Sequence, residues 1–240
     1  TRRSSDLLNR PKEHTDELSP ESTPKRVVIS LKERSEMNTA TRSTGRTLWV
    51  AIRAMAVFTV LCGVIYTLVV TGVGQLILPA QANGSLIKNT DGEVVGSSLI
   101  GQGFLDADGN PLPEYFQPRP SAAGDGWDGA NSYGSNYGPE NEDLIAAIAE
   151  RKAQVADFNG VSEDQVPPDA VTASASGLDP DISPEYAAIQ VARVAEARAM
   201  GVEQVEELVA AHTQGRDLGY LGEPRVNVLE LNLALDELED

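Results

Sequence analysis

Histidine, cysteine and positive charge beyond the first quarter are what this chain has least of, and each shortage removes a class of function. Cys62 is the only cysteine in 240 residues and sits inside an apolar run, so no disulfide can form within the chain and no thiolate metal site is available. His14 and His212 are the only histidines, so a histidine zinc site or a Ser-His-Asp triad would have to rest on His212 alone, a helix-face residue expected to be half-buried. Residues 54 to 240 carry eight Lys or Arg against twenty-nine Asp or Glu, a net charge of −21 that repels phosphate and excludes a nucleic-acid partner. No P-loop and no internal repeat occur. Gly124-Asp125-Gly126-Trp127-Asp128-Gly129 spells G-x-G-x-x-G, but without a strand before it or a helix after it, and with two carboxylates where a pyrophosphate would lie. Asp106-Ala107-Asp108-Gly109-Asn110 starts like a calcium loop, then places its glycine too early and lacks the closing Glu, so a solvated turn is expected. The carboxylates are many, but no pair stands apart from an acidic surface. No catalytic residue, metal ligand or cofactor-binding residue is assigned.

What the chain does have is one long uncharged stretch. Ala54 to Val73 is twenty residues without a charge, and the charge-free run continues to Ile87. At about 1.5 Å per residue, twenty helical residues cover roughly 30 Å, the hydrocarbon thickness of a bilayer. Ten are Leu, Ile, Val or Phe, and these alone favour insertion by roughly 3 to 6 kcal/mol. The stretch reads as a transmembrane helix. Before it, residues 1 to 53 carry eleven Lys or Arg and seven Asp or Glu, a net of +4. Arg34, Arg42, Arg46 and Arg53 flank its start, Trp49 suits the inner interface, and the first positive residue beyond it is Lys88. The positive-inside rule then places the N-terminus in the cytoplasm and the acidic remainder outside a cell membrane.

The span also has a face. Thr59, Gly63, Thr67 and Thr71 recur every fourth residue, which keeps them on one side of a helix where small residues let a second helix approach. Tyr66 adjoins that stripe and would bring a hydroxyl into the bilayer, where an unpaired polar group is costly. A membrane partner helix is expected on this face. Ala80-Gln81-Ala82 fits the small-x-small pattern of a signal peptidase site, yet the apolar run exceeds the roughly 7 to 15 residues of a signal core. Leu61 likewise denies Cys62 the small preceding residue of a lipoprotein cysteine.

Residues 1 to 46 are polar, with Pro11, Pro20 and Pro24, and read as a disordered cytoplasmic tail in which only Val27 to Leu31 is apolar enough for a brief element. The chain begins at Thr1 rather than Met, as expected of a processed chain or a piece of a longer one. Residues 47 to 78 comprise the span and its flanks, with Gly72, Gly74 and Pro79 expected to loosen the outer end. Residues 79 to 240 form one outer domain without disulfides, whose stability must come from an apolar core. Within it, 83 to 104 has strand-and-turn composition, including Val94-Val95 and Leu99-Ile100. Residues 105 to 139 form a long Gly- and Pro-rich loop with Tyr115, Phe116, Trp127, Tyr133 and Tyr137, an expected ordered binding surface.

Three helices follow: one opened by Pro139 and early carboxylates, running to about Asp157 with Leu144, Ile145 and Ile148 on its apolar face; one capped by Ser183-Pro184 and ended by Gly201; and one from about Glu203 to Gln214 built on Val205, Leu208, Val209 and His212. Arg225 to Leu229 reads as a strand and Asn232 to Asp240 as a short helix or frayed acidic end. The fold class is α+β: one N-terminal transmembrane helix followed by a single extracytoplasmic mixed domain.

Several blocks then occur in one order: Gln81-Ala82-Asn83-Gly84-Ser85, Val95-Gly96-Ser97 with Ile100-Gly101-Gln102, Tyr115-Phe116 with Arg119-Pro120-Ser121-Ala122, Gly134-Ser135-Asn136, Ser176-Gly177-Leu178-Asp179-Pro180, Ile182-Ser183-Pro184, Gln190-Val191 with Arg193-Val194-Ala195, and Gly222-Glu223-Pro224-Arg225-Val226-Asn227-Val228. Over residues 48 to 236 the chain resembles the KdpC family, the C subunits of the Kdp potassium-transporting P-type ATPase. It departs from the family at Thr67, where Pro is usual, at Tyr137 for Leu, at Ala175 for Gly and at Asp181 for His. The resemblance implies an accessory, non-hydrolysing subunit of a high-affinity potassium uptake complex, needed for assembly and activity. Its implied partners are a channel-like potassium-binding subunit, an ATP-hydrolysing P-type subunit and the lipid bilayer. ATP and potassium are then handled by the complex, and the family's proposed role as a catalytic chaperone would raise the pump subunit's affinity for ATP. A domain outside the membrane cannot touch cytoplasmic ATP, so that role conflicts with the charge-based topology unless it acts through the membrane helices. Arg119, Ser121, Asn136 and Asp179, in turns rich in glycine or proline, are the candidate subunit interface. The rival from another class is a membrane-anchored or secreted extracellular enzyme with a carboxylate-based hydrolytic site.

Overall fold

The computed structural model describes residues 44–238. The expected cytoplasmic tail before residue 44, with His14 and the Val27 to Leu31 run, lies outside the described residues, as does the last acidic pair of the chain. Contacts divide the chain into a unit that ends at Val69 and a second that starts at Val70.

Helix α1, Thr44–Ile77, is 34 residues long and begins upstream of the charge-free stretch. The most apolar 18-residue window within it has no residue buried inside the chain, so lipid or another protein must cover its apolar side chains. Between Thr59 and Tyr66 the helix is of the wider π type, and the Thr67 hydroxyl donates to the Cys62 carbonyl five residues back at 3.5 Å. The expected loosening at Gly72 and Gly74 does not occur. The helix runs through both and stops at Leu78, whose extended φ of −131° suits the residue before Pro79. A four-residue helix α2, Pro79–Ala82, follows, and the Asn83 side-chain amide closes onto the Pro79 carbonyl.

In the second unit, β1 (Leu86–Lys88) and β2 (Val94–Ser97) form the antiparallel hairpin that the strand-and-turn composition predicts. Leu99-Ile100 is not a further strand: Ile100 closes a turn against Ser97. Helix α3 is Glu142–Asn159, with the Asn141 side chain rather than Pro139 accepting from the Leu144 N–H as its cap. Ile145 is exposed, contrary to expectation. Leu144 and Ile148 are half-buried, and full burial comes only at Ala156 and Asn159, because the helix packs through its C-terminal half.

Helix α4, Pro184–Ala197, starts where predicted, with Ser183 Oγ accepting from Tyr186 N–H. It ends sooner than predicted, at a left-handed Ala199, and Gly201 takes the N-cap of α5, Val202–His212. Val205 and Val209 are buried there, while His212 is half-buried with Nδ1 at 3.0 Å from the Leu208 carbonyl.

Three short strands, β3 (Asp181–Ile182), β4 (Thr213–Gln214) and β5 (Arg225–Asn227), make an antiparallel sheet in the order β3-β5-β4. The strand expected over Arg225 to Leu229 stops at Asn227, whose side chain accepts from Glu230 N–H and so starts α6, Val228–Glu237. Helix α5 packs on both α4 and α6, and the sheet lies against all three. Phe116, Val194, Val205, Val226, Leu231 and Leu235 are fully buried at the centre, each large aliphatic contributing roughly 1.5–3 kcal/mol.

The long loop is ordered by side-chain amides that imitate a strand. Asn232 accepts from the Phe116 N–H at 2.9 Å and donates to its carbonyl at 3.0 Å. Gln190 does the same for Gln117, at 2.7 and 3.2 Å. Arg193, buried on α4, donates to the carbonyls of Pro113 and Tyr115, to Asn159 and to Gln190. These bonds satisfy loop backbone groups that no strand pairs, as burial requires.

Candidate functional site

Two of the four candidate interface residues meet. Arg119 follows Pro118 in a stretch without helix, strand or turn, Asp179 precedes β3, and their side chains form an ion pair at 2.8 Å although sixty residues apart. Both line a cleft of about 520 Å³ that also holds Asp169, Asp181, Glu185, Glu223 and Arg225. In β3 the alternation of faces buries Ile182 and turns Asp181 outward. There Asp181 lies 3.3 Å from Arg225 on the paired strand. Asp169 accepts from the backbone N–H and hydroxyl of Ser183, at 2.7 and 2.9 Å, and so fixes the start of α4. Glu223 pairs with Arg216, and Arg225 also reaches Asp217 at 3.7 Å.

Electrostatics follow from that crowding. Burial raises the Asp181 pKa, the neighbouring Asp179 raises it further, and Arg225 opposes both. Arg119 Nε is buried and finds no hydrogen-bond partner among the described residues, although its other nitrogens reach Asp179 and, at 3.4 Å, the Thr172 carbonyl. Such a surface, with carboxylates and guanidiniums alternating and half exposed, can match charges of either sign on a facing protein.

Ser121 and Asn136 lie elsewhere. Ser121 Oγ donates to the Gly177 carbonyl at 2.6 Å and accepts from the backbone N–H of Ala123 and Trp127. It locks the long loop to the turn 174–178. Gly177 has φ +67°, and a Cβ there would stand 2.6 Å from the Tyr133 carbonyl oxygen, so this close approach demands glycine. Asn136, at φ +54°, bonds the Gly134 carbonyl within its own turn. Asp181, Glu185, Glu223 and Arg225 were not singled out as a group by sequence. Their signal was indirect: Asp181 and Glu185 flank the Ile182-Ser183-Pro184 block, and Glu223 and Arg225 lie within the Gly222-Glu223-Pro224-Arg225 block.

On α1, Thr59, Gly63, Tyr66, Thr67 and Thr71 are all exposed. Gly63 leaves an open notch, since a Cβ there would meet only the Thr59 methyl at 4.0 Å. In a regular α-helix, residues four apart drift by roughly 40° per step. The i→i+5 turns of Thr59–Tyr66 take more than four residues, so four-residue steps there fall short of a full turn and the stripe drifts back instead of onward.

Residues 48–237 match the family KdpC, described as K+-transporting ATPase, c chain. The potassium-transporting ATPase KdpC subunit of Beijerinckia indica is 54% identical over 186 residues, 78% of this chain and 91% of that protein. The subunit of the same name from Mycobacterium bovis is 54% identical over 194 residues, 80% of this chain and 99% of that protein. That of Kineococcus radiotolerans is 56% identical over 173 residues, 72% and 84% of the two chains. The chain belongs to the KdpC family, the c-chain subunits of potassium-transporting ATPases.

Proposed function

We propose that this accessory subunit of a potassium uptake system hydrolyses no ATP itself, is anchored by α1, and holds its C-terminal domain outside the cell membrane with its N-terminus in the cytoplasm. The observation that carries this reading is the charge step across α1, from +4 before residue 54 to −21 after it. The domain limits that go with it are 1–46, 47–78 and 79–240.

Its partners are a channel-like potassium-binding subunit and the ATP-hydrolysing subunit. It meets them through two surfaces. In the membrane, the face of Thr59, Gly63, Tyr66, Thr67 and Thr71 receives a partner helix, supported by the notch at Gly63 and the uncovered apolar surface of α1. Outside, Arg119 and Asp179 present the charged cleft, with Ser121 tying the loop to the turn beside Asp179 and Asn136 farther along the same loop. A chaperone effect on ATP affinity then runs through the membrane helices. The acidic domain raises local potassium only modestly, because surface fields fade over about 8 Å at physiological salt.

Protease treatment of wall-stripped cells carrying a C-terminal tag tests the topology. Digestion of the tag without permeabilisation is expected. Protection until the membrane is opened would overturn the reading and make direct nucleotide contact the leading mechanism. For the membrane face, Gly63→Leu fills the notch and should cut recovery of the other subunits in co-purification several-fold, whereas undiminished recovery would remove the stripe from the interface.

A further inference from the structure

A second cavity, of about 230 Å³, opens between the long loop and α3. Its apolar wall includes Leu105, Pro111, Pro118, Pro120, Trp127 and Phe158, and no Asp or Glu lines it among the described residues. In a domain with so many carboxylates that is a marked local exception. Trp127 is held there under strain, at φ +51°, a conformation that is costly for a bulky residue and persists only where surroundings enforce it. Ser121 Oγ accepts its N–H at 2.8 Å, and a Cβ on Gly103 would stand 2.7 Å from its indole.

Two of the polar side chains that line this cavity, Arg151 and Tyr186, offer donors. Arg151, on α3, bonds the Val171 carbonyl at 3.2 Å and has no carboxylate partner among the described residues. Behind the wall, Arg193 is buried with its guanidinium 4.4 Å from the Phe158 ring centroid and bonded only to neutral oxygens. Its charge is offset by no ion pair among the described residues. Tyr186, only 4% exposed, lines the cavity, and its hydroxyl has no hydrogen-bond partner among the described residues. Burial pushes its pKa up, so the hydroxyl remains a donor at any ordinary pH. The hydroxyl is thus open to an acceptor on a ligand in the cavity.

We propose that this cavity binds a small amphipathic carboxylate, its single ring or branched aliphatic body against Trp127 and Phe158 and its carboxylate on Arg151, with the Tyr186 hydroxyl as a further donor. Guanidinium and carboxylate match in geometry as well as charge. The net negative charge of the domain does not forbid this, since exposed charges beyond about 8 Å are screened.

The full chain in lipid nanodiscs, with Trp49→Phe leaving Trp127 as the only tryptophan, supplies the test. Titrated with 4-phenylbutyrate, Trp127 emission should change saturably, and the neutral 4-phenylbutanol should bind at least tenfold more weakly. Arg151→Gln should weaken the acid about tenfold and leave the alcohol unchanged. Tyr186→Phe, which keeps the ring, should weaken the acid about threefold and decides the matter if the Arg151 variant does not fold. Equal binding of acid and alcohol, equal response of both variants and parent, or no saturable response up to on the order of 10 mM would overturn the proposal.

Discussion

Two sets of arginines in the same domain are treated in opposite ways. Arg193 is buried, meets no carboxylate at ion-pair distance among the described residues, and is held by the carbonyls of Pro113 and Tyr115 and the amide oxygens of Asn159 and Gln190. Arg119 and Arg225 sit in an open cleft and are paired with Asp179 and Asp181, all four side chains about a quarter to a third exposed. The buried arginine organises backbone: without it the long loop would lose two of the contacts that substitute for a sheet. The cleft arginines organise charge and touch little backbone. Structural cost therefore concentrates at Arg193, and freedom to serve a partner at the cleft.

The largest effect should come from breaking the first member of this pair. Arg193→Met keeps the stem but strands the Pro113 carbonyl and the Asn159 amide oxygen in the interior, each left without its donor at about 1–3 kcal/mol where water cannot reach, while the Tyr115 carbonyl and Gln190 Oε1 keep only their bonds from Gln117. A loss of roughly 3 kcal/mol or more is expected, read as a fall of the urea midpoint of the full chain followed by Trp127 fluorescence. Burial lowers the Arg193 pKa only to about 10, so the group stays charged at neutral pH and its contribution should be flat between pH 6 and 8. An unchanged midpoint would mean that the loop is held by Asn232 and Gln190 alone.

How legible this was in the sequence differs between the two regions. The helices were visible because their apolar spacing and caps are local: Ser183-Pro184 opens α4, and Val205 and Val209 mark the buried face of α5. The start of α6 was missed although Asn227 and Glu230 stand at capping spacing, because the alternation of Val226 and Val228 around Asn227 outweighed it as a strand signal. Strands β3 and β4 are two residues long, below the length at which a period of two can be recognised. Gly201 suggests a helix stop but is an N-cap, since Ala199 takes the left-handed turn that usually signals glycine. Of the candidate interface, the family blocks pointed to Arg119 and Asp179 singly; their pairing across sixty residues is a tertiary fact with no local trace.

A smaller effect on stability, with a larger one on assembly, is expected at the cleft. Arg119→Ala removes an ion pair that is still wet, worth about 0–1 kcal/mol. It also removes the orphaned Nε donor, which offsets part of that loss. The urea midpoint should barely move, while recovery of the other subunits in co-purification falls if the cleft is an interface. A variant that unfolds easily yet assembles normally would reverse the contrast, making Arg119 structural and leaving the cleft without a partner role.

The smallest effect, and the one that most sharpens the contrast, is the pH response of Asp181. Its pKa is raised in the fold, by burial first and by Asp179 second, with Arg225 opposing. A carboxyl whose folded pKa lies above its unfolded value contributes its full share of stability below the unfolded value, near 3.8, and loses it as pH rises through the folded value. At neutral pH the ionised Asp181 is therefore a mild liability, and the side chain's 28% exposure keeps the amount small. Asp181→Asn should raise the neutral-pH urea midpoint by less than about 1 kcal/mol of stability, and the gap should close as the pH is taken below the usual carboxylate range. If the variant is instead less stable at neutral pH, the Arg225 pair outweighs burial, and the cleft shares the structural character of the Arg193 network.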